Sequence, residues 1–164
     1  VSLVVVMGVT GSGKSTVGGL LAARLGVPFV DADDLHSHES IAKMTRGEPL
    51  VDADRWPWLE RVADEVASAR ERDGLVVACS ALRASYRKAI RRGENDILFV
   101  HLAPSDELLA LRLHARTGHF MPPSLLASQL AVVEELSVDE EGVTVDSAAS
   151  AAEIADLVMD RLVR

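Results

Sequence analysis

The sequence predicts an α/β domain in which a five-stranded parallel sheet is flanked by helices. Three observations lead there. Short apolar, mostly β-branched runs alternate with helix-period segments along the whole chain, and a glycine-rich octet joins the first run to the first helical stripe. The chain's 164 residues suit one domain, and a chain of that size buries about 68–70% of its unfolded surface without staples.

The elements follow in order. The strands are expected at Leu3 to Met7, Pro28 to Asp31, Leu75 to Cys79, Ile97 to Leu102 and Val143 to Val145. They lack polar alternation because helices cover both faces of such a sheet. Val17, Leu20, Leu21 and Leu25 form the first helical stripe, and Gly26 stands where a C-terminal cap falls. Leu59, Val62, Ala63, Val66 and Ala67 form a second stripe. Pro104, Ser105, Asp106 and Glu107 open a further helix with acids against the positive end of its dipole. Ile154, Leu157, Val158 and Leu162 mark the last helix, opened by Ser150 and Glu153 at capping-box spacing. The segments His36 to Trp58 and Thr117 to Pro123 have no clean strand or helix period. In α/β enzymes, irregular segments beyond strand ends are where ligands are held.

Composition narrows the function. There are 25 acidic and 17 basic side chains, for a formal charge of -8. That balance disfavours a general nucleic-acid or membrane partner, which needs a clustered positive field. No apolar stretch approaches the roughly 18 residues of a transmembrane helix. A lone Cys79 makes no internal disulfide, in keeping with a reducing cytoplasm. The expectation is a soluble cytoplasmic protein.

Gly8-Val9-Thr10-Gly11-Ser12-Gly13-Lys14-Ser15 matches G-x-x-x-x-G-K-[ST] in full, between a strand and an amphipathic helix. Glycines let the backbone curl around an anion, and the helix N-terminus adds positive potential. Gly8, Gly11, Ser12, Gly13, Lys14, Ser15 and Thr16 are therefore the expected nucleotide-binding residues. Lys14 would bridge the β- and γ-phosphates and Ser15 would ligate Mg2+. The loop alone leaves the reaction open among a switch GTPase, a motor ATPase and a small-molecule kinase. No Asn-Lys-x-Asp guanine-reading segment occurs, and the chain is short for a motor.

Asp31-Ala32-Asp33-Asp34-Leu35-His36 follows the second strand. Residues two apart on an extended backbone share a side, so Asp31 and Asp33 would converge on one site. Asp31 would hold Mg2+, and Asp33 would orient or deprotonate an attacking hydroxyl. The competing reading is that these acids cap a helix near Leu35. His36 beside them is read as a substrate contact.

The run Asp31-x-Asp33-x-Leu35-His36, then Ile41-x-Lys43-Met44-x-x-Gly47-x-Pro49-Leu50-x-Asp52-x-Asp54-Arg55-x-Pro57-Trp58-Leu59, then Cys79-Ser80-Ala81-Leu82-Arg83 with Tyr86-Arg87, then His119-Phe120-Met121, resembles the gluconokinases. Those are small kinases akin to shikimate and adenylate kinases. The likeness runs from the phosphate loop to about Glu135. It implies a single P-loop domain over residues 1–164 with the three-layer fold of the nucleoside-monophosphate kinases. A substrate segment would span about 36–58 and a lid about 117–123. It also implies ATP-dependent phosphorylation of D-gluconate at its 6-hydroxyl, with Mg2+, by a homodimer. The chain departs from the family pattern at Ala32, Ser37 and Ser40, where glycine, proline and asparagine are usual. Two rivals stand beside this reading: a kinase of another polyol acid such as shikimate, and a nucleotide-gated binding protein without transfer chemistry.

A sugar acid needs a cation for its carboxylate, and arginine's planar fork holds one bidentately. Arg55, Arg83 and Arg87 are the candidates, with Lys43 as a further pocket cation, and the family motif adds His119. Arg112 and Arg116 lie four apart on the helix leading to the lid, hence on one face. Arg112 would stack on adenine and Arg116 would reach the transferring phosphoryl group. Ser147 to Ala149 are expected to wall the adenine site. Glu134, Glu135, Asp139, Glu140 and Glu141 would carry surplus acid away from the cleft.

Overall fold

The structure, a computed structural model, describes residues 2–103, 105, 107, 108, 111 and 124–164. Strands β1 (Ser2–Met7), β2 (Phe29–Asp31), β3 (Gly74–Ala78), β4 (Ile97–Leu102) and β5 (Gly142–Val145) form one sheet in the order β2-β3-β1-β4-β5. Every pairing is parallel, with Val5 opposite both Val77 and Phe99. The helices are α1 (Lys14–Leu25), α2 (His38–Thr45), α3 (Asp52–Arg70), α4 (Ala84–Arg91), α5 (Ser124–Val132) and α6 (Ala151–Val163), with a 3-10 turn at Ala32–Leu35.

Strand geometry divides the core in two. Leu3, Val5 and Met7 point to one face, where Leu59, Val62 and Val66 of α3 and Tyr86 and Ile90 of α4 meet them. Val4 and Val6 point to the other, against Val17 and Leu21 of α1 and Ile154 and Val158 of α6. The central strands are thus buried on both sides, which is why they read as unbroken apolar runs. Gly26 caps α1 in the left-handed conformation, its N–H on the Ala22 carbonyl. Ser150 and Glu153 form the reciprocal box of α6, at 3.1 and 2.9 Å. No helix among the described residues is long and apolar enough to cross a membrane.

The segment His36 to Trp58, irregular in the sequence reading, contains a helix. Ser37 caps α2 by accepting the Ser40 N–H at 3.1 Å, and donates its own hydroxyl to Ser40 Oγ. The departures Ser37 and Ser40 therefore bond each other at a helix start. Eight residues with two buried, Ser40 and Met44, leave too little stripe for periodicity to register. The helix of the second stripe begins at Asp52, so Pro57 lies inside it. Of the helix expected from Pro104, the described part has Ser105 Oγ accepting the Leu108 N–H at 3.2 Å.

Parallel strands send all their C-terminal ends to one edge of the sheet. The octet leaves β1 there, Asp31 leaves β2, Ser80 follows β3 and Asp146 follows β5. Gly8 makes the exit possible: at φ +147° a Cβ would stand 2.8 Å from the Leu102 carbonyl oxygen and from Ser12 Oγ.

Candidate active site

The octet curls as its glycines require, with Gly11 and Gly13 at φ 78° and 97°. Gly13 caps α1 with no side-chain oxygen, and no acid lies in the first turn. The helix N-terminus is thereby kept for an anion. Lys14 Nζ donates back to the Val9 carbonyl at 2.9 Å.

A cleft of about 580 Å³ opens over this turn, lined by Thr10 to Val17 and Asp33 on one side and Ser147 to Ala151 on the other. Ser147 to Ala149, expected to wall the adenine site, line this cleft. Gly8 lies at the strand exit, outside the lining. A narrower cavity adjoins the cleft, bounded by His36, Leu50, Arg55, Trp58, Tyr86 and Gln129 among others. Thr10, Lys14 and Asp33 line both spaces.

The acids reach their places by a turn, not along one extended strand. Asp31 is extended at the end of β2, and its Oδ1 accepts the Asp33 N–H at 3.0 Å, so the chain bends at Ala32 into the 3-10 turn. Asp31 Oδ2 meanwhile accepts the Ser15 hydroxyl at 2.7 Å. The two carboxylates therefore divide, Asp31 toward the phosphate loop and Asp33 toward the junction of the two spaces. A serine hydroxyl beside a carboxylate at the start of α1 is a hard oxygen pair that fits Mg2+, whose other ligands would be phosphate and water.

Trp58 Nε1 donates to the Ala32 carbonyl at 2.7 Å, fastening this turn to α3. His36 stacks on the Trp58 ring at 4.2 Å and 14°. Its Nδ1 is buried without a hydrogen-bond partner. Burial, then Arg61 and Arg55, push the imidazole down to about 4, against a smaller upward pull from Asp31. His36 is thus neutral at physiological pH.

Two guanidinium groups converge on Tyr86, Arg55 at 5.6 Å and Arg83 at 5.9 Å from the ring centroid. Tyr86 Oη donates to Asp52 Oδ1 at 2.5 Å and accepts from Arg55 Nη1 at 3.2 Å. Arg55 lines the cavity, while Arg83 Nε is buried without a partner. Cys79 is enclosed, and burial pushes its thiol up to about 12, so it is no nucleophile.

Two expected pocket cations are used elsewhere. Lys43 pairs with Asp54 at 2.7 Å, tying α2 to α3. Arg87 is fully buried and donates to both Glu140 carboxylate oxygens, at 2.6 and 3.0 Å. It also donates to the carbonyls of Ala81, Leu82, Glu134 and Glu135. All three guanidinium nitrogens are committed inside the protein, which leaves no fork for a substrate carboxylate. Glu140, expected among the surplus acids away from the cleft, is the buried counter-ion of Arg87. Burial pulls its pKa up, but hydrogen bonds from Arg87 and the Ser137 N–H prevail and hold it below the usual range. Arg112, Arg116, His119 and the lid segment 117–123 lie outside the described residues.

Sequence reading missed Thr10 and Gln129. Thr10 occupies a variable position of the octet, so the pattern is blind to it. Gln129 Oε1 accepts the Thr10 N–H at 2.6 Å from 119 residues away, a pairing without sequence signal.

A profile of the shikimate kinase family matches residues 10–162. The gluconokinase of Gluconobacter oxydans (strain 621H) is 45% identical over 98% of this chain and 88% of that protein. A probable gluconokinase of Rattus norvegicus is 43% identical over 98% and 97%. The crystal structure of a gluconokinase from Sinorhizobium meliloti 1021 superposes with a TM-score of 0.87 at 47% identity, covering 98% of this chain and 93% of that one.

Two predictions come from these contacts. Removing one partner of a buried pair strands the other's charge, so Arg87→Met should lower unfolding free energy by about 3–5 kcal/mol, and adding Glu140→Leu should recover part of it. Urea denaturation reads both, and a loss under about 1 kcal/mol would remove Arg87 from its structural role. The second concerns pH. The unfolded chain protonates His36 near its ordinary 6.5, whereas the folded chain does so only near 4. Stability from this group is therefore full above about 6.5 and declines as pH falls toward 4. In His36→Gln the slope of unfolding free energy over that window should flatten; an unchanged slope contradicts the assignment.

Proposed function

The chain belongs to the gluconokinase family of shikimate-kinase-like P-loop kinases, and from that premise we propose how its residues phosphorylate D-gluconate. The chain is an ATP-dependent sugar-acid kinase, and the reading assigns the 6-hydroxyl as acceptor. The observation that carries it is the shared lining: Thr10, Lys14 and Asp33 face both the large cleft and the narrower cavity. An acid and a lysine at the junction of two pockets are what transfer from a nucleotide to an alcohol requires.

ATP takes the large cleft, its phosphates on the N–H groups from Gly11 to Thr16 and its base toward Ser147 to Ala149. Ser15 and Asp31 would hold Mg2+, which when bound neutralises charge on the β- and γ-phosphoryl oxygens. The sugar acid takes the cavity. Arg55 and Arg83, braced on Tyr86, receive its carboxylate, and the neutral His36 exchanges a hydrogen bond with a hydroxyl. Asp33 accepts the proton of the 6-hydroxyl as that oxygen attacks the γ-phosphorus, the β–γ bridging bond breaks, and Lys14 follows the charge as it moves onto ADP. Arg112 stacking on adenine and Arg116 on the transferred group complete the proposal. Lys43 contributes indirectly, by holding Asp54 and the start of α3.

ADP release in a coupled assay should rise with D-gluconate and Mg2+ and much less with other sugar acids, with 6-phosphogluconate identified by mass spectrometry. Equal rates across the panel would defeat the substrate assignment. Asp33→Asn should cut kcat by about 10²- to 10⁴-fold with ATP affinity little changed; near-normal turnover would make Asp33 structural. We also propose a homodimer on the family's ground, and a monomer mass in sedimentation velocity would refute it.

A further inference from the structure

The phosphate loop contains a peptide unit held at both ends, its carbonyl from within the loop and its N–H from outside it. The Val9 carbonyl accepts Lys14 Nζ at 2.9 Å and the Ser12 N–H at 3.2 Å. The other end of that planar unit, the Thr10 N–H, donates to Gln129 Oε1 at 2.6 Å. A peptide plane turns as one body, so whatever fixes the N–H also fixes where the carbonyl points. Here it points at the lysine.

Gln129 is held in turn by the packing of its helix. Its helix, α5, packs Leu130, with Val132 and Val133 at its end, on Val9 and Leu82. Beyond that end, the Glu134 N–H donates to the Leu82 carbonyl at 2.7 Å, and Arg87 Nη1 holds the Glu134 and Ala81 carbonyls. Thr10 is only 4% exposed, so a lost partner would leave its N–H largely without water. Gln129 also lines the acceptor cavity, as Asp33 does.

We propose that Gln129 is a positioning residue for phosphoryl transfer. It acts through the Val9–Thr10 peptide to hold the carbonyl toward Lys14, and so keeps the ammonium at the junction where the γ-phosphoryl group changes hands. The inference rests on the kinase reading above for the meaning of Lys14, but not on which sugar acid is the acceptor. Without Gln129 the peptide turns over more freely, its carbonyl oxygen spends time facing the anion, and Lys14 loses its anchor. Ground-state binding of ATP and sugar acid would change little, since most loop N–H groups remain, whereas the geometry of transfer would suffer.

The test compares Gln129→Met, which keeps length and removes the acceptor, with Gln129→Glu, which keeps an oxygen at the same reach. Amide exchange by NMR should show the Thr10 N–H exchanging faster in the Met variant and protected in the Glu variant. In the Met variant kcat should fall about tenfold, the effect of losing one hydrogen bond on which the transfer geometry depends, with both KM values within about threefold of wild type. The Glu variant should turn over faster than the Met variant. The proposal is overturned if Gln129→Met leaves Thr10 exchange and kcat as in wild type. It is also overturned if kcat, both KM values and thermal stability decline together and Glu restores none of them, since that pattern marks packing of α5 alone. Should wild-type protein prefer another sugar acid, the same split measured with that acceptor, and the acceptor-independent amide exchange, still decide the role of Gln129.

Discussion

The site is organised around the carboxylate of Asp31. One oxygen takes the Ser15 hydroxyl at the start of α1, and the other takes the Asp33 N–H in the turn after β2. β1 and β2 are not neighbours in the sheet, because β3 lies between them. The phosphate loop and the acid turn therefore meet only above the sheet edge, where Asp31 spans the gap. Trp58 fastens the turn from the other side through the Ala32 carbonyl. Asp33 then faces Lys14 across a junction that neither strand could build alone.

Much of this was legible in the sequence, and the reason is burial. β1, β3 and β4 are covered on both faces, so composition alone marks them, and the octet names its own geometry through glycines that no other residue replaces cheaply. The caps at Gly26 and Ser150 were readable because each is a short-range contact. α2 was not, since eight residues around two buried side chains leave no stripe. Asp31 and Asp33 were expected to converge as two residues of one extended strand, but the two carboxylates divide, and Asp31 takes the competing role of a cap. The turn at Ala32 is decided by a side-chain oxygen capturing a backbone N–H, a contest that periodicity does not see.

Arg87 shows the limit from the other direction. Its place after β3 matched that of a substrate cation, and sequence carries no measure of how deep a helix face sits. Sealed from water, a guanidinium must be paired and fully hydrogen-bonded. Glu140 and four carbonyls do that, and in doing so they clamp the loop after β3 to the chain leaving α5. Tyr86, on the same helix as Arg87, lines the pocket. Arg87 thus serves the site as a fixture beneath it.

The net charge of -8 takes on a different meaning once the cations are sorted by what they touch. Arg24, Lys43, Arg70, Arg87 and Arg92 are each matched to carboxylates that have no part in the cleft. Those pairs cancel locally and add little field at a distance, since exposed pairs are screened within about 8–10 Å. Lys14, Arg55 and Arg83 lie at the sheet edge, Arg55 paired with Asp52 at 3.7 Å, with the uncapped N-terminus of α1 beside them. Asp33 and Asp52 stand among these charges, so the positive region is small and bounded. The total charge therefore says little about the cleft, where Lys14 and Arg55 stand beside Asp33 and Asp52.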